Sequence, residues 1–126
     1  MTYADLLATW AEVRASSDRS FPRGHRSGPT PRLDDLPPPP ADRSGWPWTE
    51  GCKPLPPVTP DGAPWPHIAI VTPNYNYARF LEETIRSVLL QGYPNLSYAV
   101  VDDGSRDESM AIVARYAPWL AYHVTR

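Results

Sequence analysis

The stretch His67–Asp107, HIAIVTPNYNYARFLEETIRSVLLQGYPNLSYAVVDDGSRD, decides how this chain folds. It reads as an apolar run, a polar turn, an amphipathic segment, a second turn, a second apolar run and a pair of carboxylates. Ile68 to Val71 is nearly continuous in apolar residues, the pattern of a strand buried on both faces of a parallel sheet. Thr72-Pro73-Asn74 is expected to end it, because proline cannot donate to a ladder. Asn76 is placed to cap the following helix. There Leu81, Ile85, Val88 and Leu89 recur at helical spacing, with Glu82, Glu83 and Arg86 on the outward side. Gly92, Pro94 and Asn95 stop that helix, and Tyr98 to Val101 supplies a second strand rich in β-branched and aromatic residues.

Towards the carboxyl end, Asp102-Asp103-Gly104 turns the chain. Ser105 to Glu108 fits an S-x-x-E capping box for a second helix, with Asp107 and Glu108 favourable in its first turn. Met110, Val113, Ala114 and Ala117 give that helix a core face, Pro118 closes it, and Leu120 to Val124 begins a third strand. The order β-α-β-α-β predicts an α/β fold with a parallel, Rossmann-like sheet and right-handed crossovers. Three strands leave two open edges, which intact proteins cover. The chain is therefore expected to be part of something longer.

Towards the amino end the composition changes. The chain holds 17 Pro against 7 Gly, where proline ordinarily makes up about 5%. All the prolines except Pro73, Pro94 and Pro118 precede His67. This divides the chain into a leader, residues 1–66, and a truncated α/β domain, residues 67–126. Within the leader, Leu6, Leu7, Trp10 and Val13 are spaced for one face of a short helix over about residues 3–15. Residues 16–45 offer few apolar groups to offset the entropy of ordering and read as a flexible segment. In it, Pro37 to Pro40 forms a polyproline spacer. Trp46, Trp48 and Trp65 sit among prolines, as in an irregular flap packed on a neighbouring surface, with carbohydrate stacking the sharper alternative.

A net charge of −2 gives no basic footprint, so nucleic acid is not an expected partner. The single cysteine, Cys52, rules out an internal disulfide and suits a reducing compartment. No stretch approaches the ~20 apolar residues of a membrane span, and Asp5 interrupts the place where a signal peptide would sit. A soluble, cytoplasmic protein is expected.

In open α/β sheets ligands bind beyond the carboxyl ends of the strands. Two groups fall there, Thr72 to Tyr75 and Asp102-Asp103. Familiar phosphate cradles are missing from the sequence: neither G-x-G-x-x-G nor G-x-x-x-x-G-K-[ST] follows the first strand, and no serine sits in a G-x-S-x-G elbow. A carboxylate pair at a strand end can bind a metal, accept from a base or sugar, or cap a turn. Neighbours along an extended chain point to opposite sides, so only one of the two faces a given ligand. A ring at Tyr75 near a carboxylate at Asp103 suits a nucleobase better than a bare ion.

VTPNYNYARFLEETIRSVLLQGYPNLSYAVVDDGSRDES closely resembles the amino-terminal signature of family-2 glycosyltransferases of the GT-A fold. The resemblance rests on the T-P-x-Y-N turn, the F-L-E-E-T-I-x-S-V-L-x-Q helix, the Y-P-N-L turn and the V-D-D-G-S-x-D strand end. It runs from about Ile68 onward and leaves residues 1–66 untouched. It implies that Pro73 and Tyr75 line the base of a nucleotide-sugar donor such as a UDP-sugar, that Asp103 accepts a base N–H, and that Thr72 and Asp102 lie nearby. It further implies sugar transfer with inversion to a glycan, lipid or small-molecule acceptor. Mg²⁺ or Mn²⁺ would neutralise the diphosphate leaving group. The family's metal-binding Asp-x-Asp and its base match nothing in this sequence, so no catalytic residue is assigned and the chain alone is expected to be inactive. The alternative is a non-catalytic nucleotide-binding or protein-interaction module left from a truncated transferase. A sugar-1-phosphate nucleotidyltransferase would want a Gly-rich, basic turn where TPNYN stands.

Overall fold

The computed structural model describes residues 28–124, with side chains described as far as residue 121. The short helix expected near residues 3–15 lies outside the described residues. Three strands, β1 (Ile68–Asn74), β2 (Leu96–Asp102) and β3 (Ala121–Val124), alternate with two helices, α1 (Ala78–Leu89) and α2 (Ser109–Arg115). The strands are parallel and lie side by side in chain order. This is the α/β, β-α-β-α-β, Rossmann-like arrangement read from the sequence.

Both crossovers pack on one face. Leu81, Ile85 and Leu89 of α1 join Ile112 and Val113 of α2 around Leu96, Tyr98 and Val100 of β2. Those strand residues alternate with Ser97, Ala99 and Val101, as a period of two requires. β2 is buried along its whole length, whereas β1 is buried only at Asn74. The apolar run at Ile68–Val71 was expected to be covered on both faces. It is instead at the edge of the described sheet, and Ile68 remains exposed. The strand also continues through Pro73 to Asn74, because an edge strand tolerates a residue that lacks an N–H.

Helix boundaries and faces differ from the sequence reading in physically informative ways. Asn76 does not cap α1; Tyr77 holds that position without a side-chain bond. The cap comes from across the sheet end, where the Ala78 N–H donates to Asp107 Oδ2 at 2.9 Å. No capping box forms at Ser105 to Glu108 either, since α2 begins only at Ser109. Ser109, Ile112, Val113 and Tyr116 turn inward, leaving Met110, Ala114 and Ala117 exposed. Of the expected face only Val113 is buried.

Arg86 and Glu82, placed outward by the α1 pattern, are both buried, and Arg86 is wholly so. Arg86 donates through Nε to Pro47 O at 2.8 Å, through Nη1 to Pro37 O at 2.9 Å and through Nη2 to Trp48 O at 2.8 Å. Its guanidinium lies 5.4 Å from the centroid of Trp48. Nη1 also donates to the Tyr116 hydroxyl, which donates in turn to Glu82 Oε2 at 2.6 Å. Burying a cation is costly unless its charge is answered. Here the answering carboxylate reaches it through a phenol. Burial, and then Glu82, push the Tyr116 hydroxyl up to about 12.

Residues 28–45, part of the segment read as flexible, lie against the α/β unit, as do residues 46–66, which include the tryptophans read as a flap. Leu36 joins the core cluster and Trp48 is buried. Backbone bonds tie Gly28 to Leu96, Thr30 to Tyr93, Cys52 to Leu90 and Leu55 to Gly92. Few apolar residues lie within 16–45, but prolines still carry carbonyls, and the buried Arg86 binds those of Pro37 and Pro47. Trp65 stacks edge-on against Tyr93 with centroids 5.8 Å apart, the flap-like role expected of it.

Candidate functional site

The parallel register sets Asn74 beside Asp102 and Pro73 beside Val101, so the loops that follow β1 and β2 leave the sheet side by side. The five residues singled out from sequence fall into two layers. Pro73 and Tyr75 are exposed, Tyr75 by 51%, and Asp103 is half-buried beside them with its N–H on Asn74 O at 3.0 Å. Beneath lie Thr72 and Asp102. Thr72 shares a hydrogen bond with the Tyr98 hydroxyl at 2.7 Å. Burial pushes that phenol up to about 12, against a smaller opposing effect of the Thr72 contact.

Asp102 is 1% exposed and occupied by the protein itself. It accepts from Asn74 Nδ2 at 2.8 Å, from Ser105 N at 2.7 Å and from Ser105 Oγ at 2.6 Å. The Asn74 amide also reaches Ser109 Oγ at 2.9 Å and Ser105 Oγ at 3.2 Å. Ser105 Oγ accepts from Asn76 N at 2.8 Å, and Asn76 Oδ1 accepts from Arg106 N at 2.8 Å. Asn76 takes a left-handed conformation, φ 52°, which asparagine tolerates better than most residues. Finally, Asp107 bridges both helix starts, with Ala78 N on one oxygen and Ser109 N on the other. Slight burial pushes the Asp107 carboxyl up, but the bonds from Ser109 and Ala78 outweigh it and hold the group below its ordinary range.

Asn74, Asn76, Ser105, Asp107 and Ser109 were not singled out as site residues from sequence. Period two sets Asn74 on the same strand face as Thr72, but that it faces Asp102 follows only from the register of β1 and β2. Among the described residues no group of three or more His, Cys, Asp or Glu side chains is arranged to hold a metal ion. The Asp102-Asp103 pair does not fit a divalent cation, since Asp102 already accepts three protein donors. No described helix is long and apolar enough to cross a membrane.

Residues 69–125 match the family described as Glycosyl transferase family 2. An uncharacterised glycosyltransferase of Rickettsia prowazekii is 40% identical over 45% of this chain and 18% of its own length. One from a Nostoc species is 42% identical over 38% of this chain and 15% of its own. A Bacillus subtilis glycosyltransferase, assigned by its name to teichuronic acid biosynthesis, is 37% identical over 40% of this chain and 20% of its own. The chain thus covers no more than about a fifth of the length of these relatives. No solved structure matches it significantly.

Proposed function

We propose that residues 69–125, which match the family described as Glycosyl transferase family 2, supply the nucleoside-binding half of an inverting, sugar-nucleotide-dependent glycosyltransferase. Tyr75 stacks on the base, Pro73 lines it, and Asp103 accepts a base N–H. Thr72 and Asp102 support that surface from below. The donor is a nucleoside-diphosphate sugar, with UDP-sugars the first class to try, and the acceptor is a glycan, a lipid or a small molecule. Mg²⁺ or Mn²⁺, when bound, would neutralise the departing diphosphate; its ligands are expected outside the described residues. We place the enzyme in the cytoplasm, where a lone exposed cysteine such as Cys52 stays reduced.

The observation that supports this reading is the pairing of Asn74 with Asp102, which puts an exposed ring and a carboxylate at adjacent strand ends. Calorimetric titration of UDP into the full natural protein tests it. Tyr75→Ala and Asp103→Ala should each weaken binding, on the order of 10-fold for loss of the stack. Unchanged affinity in both variants would remove the site.

A further inference from the structure

We infer that Asn74, Asp102 and Ser105 form a latch that positions Tyr75 and Asp103, so that the two ligand-facing residues are held as one surface. The inference rests on the nucleoside-binding reading above, and it assigns Asp102 a positioning role rather than a ligand contact.

The geometry carries it. Tyr75 lies between two anchored neighbours. Asn74 is fastened to Asp102 and Ser109 through its side chain, and Asn76 to Ser105 through its N–H and to Arg106 through its carbonyl oxygen Oδ1. Asp103 is likewise flanked by Asp102, fastened to Ser105, and gives its own N–H to Asn74 O. Each loop is therefore tied to the other on both sides of the residue offered to the ligand. Tyr75 itself remains 51% exposed. A contact geometry that must hold within about half an ångström needs such support from its neighbours.

The chemistry of the latch is also directional. Asp102, when ionised, can only accept, and Asn74 turns its amide donor towards it. Asp102→Asn would turn one of its two acceptors into a donor, which must then face either the Asn74 amide or the Ser105 N–H, and Asn74→Asp would set two carboxylates against each other. The double variant Asn74→Asp/Asp102→Asn restores one donor facing one acceptor. Ser105 is the remaining joint, since its hydroxyl donates to Asp102 and accepts from Asn76.

The test uses the full natural protein, UDP as the calorimetric probe well below the unfolding temperature, and amide hydrogen exchange as a second readout. Ser105→Ala should lower UDP affinity on the order of 10-fold, and Ser105→Thr, which keeps the hydroxyl, should restore most of it. Either single exchange at 74 or 102 should lose affinity that the double variant recovers. In Ser105→Ala, protection should fall together at Asn76 N–H and at Asp103 N–H, although Ser105 touches only the first. A lower melting temperature with unaltered UDP affinity would overturn the positioning role. Loss of protection at Asn76 with none at Asp103 would overturn the coupling between loops, whatever the ligand. If the unsubstituted protein ignores UDP, GDP and dTDP alike, the nucleoside reading itself fails and the ligand half of this inference goes with it.

Discussion

At the amino end of the sheet, residues 28–66 are fastened mainly by backbone groups: Gly28 on Leu96, Thr30 on Tyr93, Cys52 on Leu90, Leu55 on Gly92, and three carbonyls on Arg86. At the carboxyl end the loops after β1 and β2 are fastened mainly by side chains, namely Asn74, Asp102, Ser105 and Asp107. The first kind of fastening depends little on which residues supply the carbonyls, so a proline-rich sequence serves. The second kind needs those residues at those places. It leaves its surface open, whereas the first covers Leu36 and Trp48. One end of the sheet is closed over buried side chains, and the other leaves Tyr75 exposed.

The largest effect should come from Arg86→Ala, which strips the strap of its shared donor and leaves Glu82 buried opposite nothing but Tyr116 and Arg115. We expect a loss of about 3 kcal/mol or more in urea-induced unfolding. A loss below about 1 kcal/mol would mean the strap is held by apolar contact alone, and the contrast between the two ends would collapse.

Next in size is Gly92→Ala. Gly92 has φ +69°, and a Cβ there would stand 2.8 Å from both Lys53 O and Pro54 Cα. The backbone strain and the clash together should cost roughly 1–3 kcal/mol, visible as a lower denaturation midpoint with little change in UDP affinity. A matching fall in UDP affinity would show that the closed end communicates with the open one.

The smallest effect sharpens the picture at the open end. Tyr98 keeps its proton in the folded state up to about pH 12, against 10.0 in an ordinary phenol. An unfolded chain releases that proton first, so this contribution is intact below pH 10, erodes through the window from pH 10 to about 12, and is gone above it. Tyr98→Phe should therefore show a shallower alkaline decline of stability than the parent chain in that window. An unaltered slope would mean that the Tyr98–Thr72 contact admits water.

The sequence made the fold legible because period and punctuation agreed: apolar runs at Ile68 and Tyr98, a helical repeat from Leu81 to Leu89, and Gly92 to Asn95 between them. It was less informative about faces. Arg86 and Glu82 look like solvent residues in any α1 pattern, and only the neighbouring carbonyls and Tyr116 explain their burial. Tyr116 itself could not be seen as core from a pattern that started the second helix too early. The candidate site was half legible. Tyr75 and Asp103 follow from the strand-end rule together with the family resemblance. The support under them depends on which side chains face each other across two strands, and register is a tertiary fact.

Asp107 has one more consequence. Folds that hold a dinucleotide by its phosphates leave the first turn of a helix empty, so that the partial positive charge of its dipole meets the anion. Here both helices point their starts at one carboxylate, which takes an N–H from each. A diphosphate approaching those two helix starts would therefore meet a carboxylate that already holds one N–H of each.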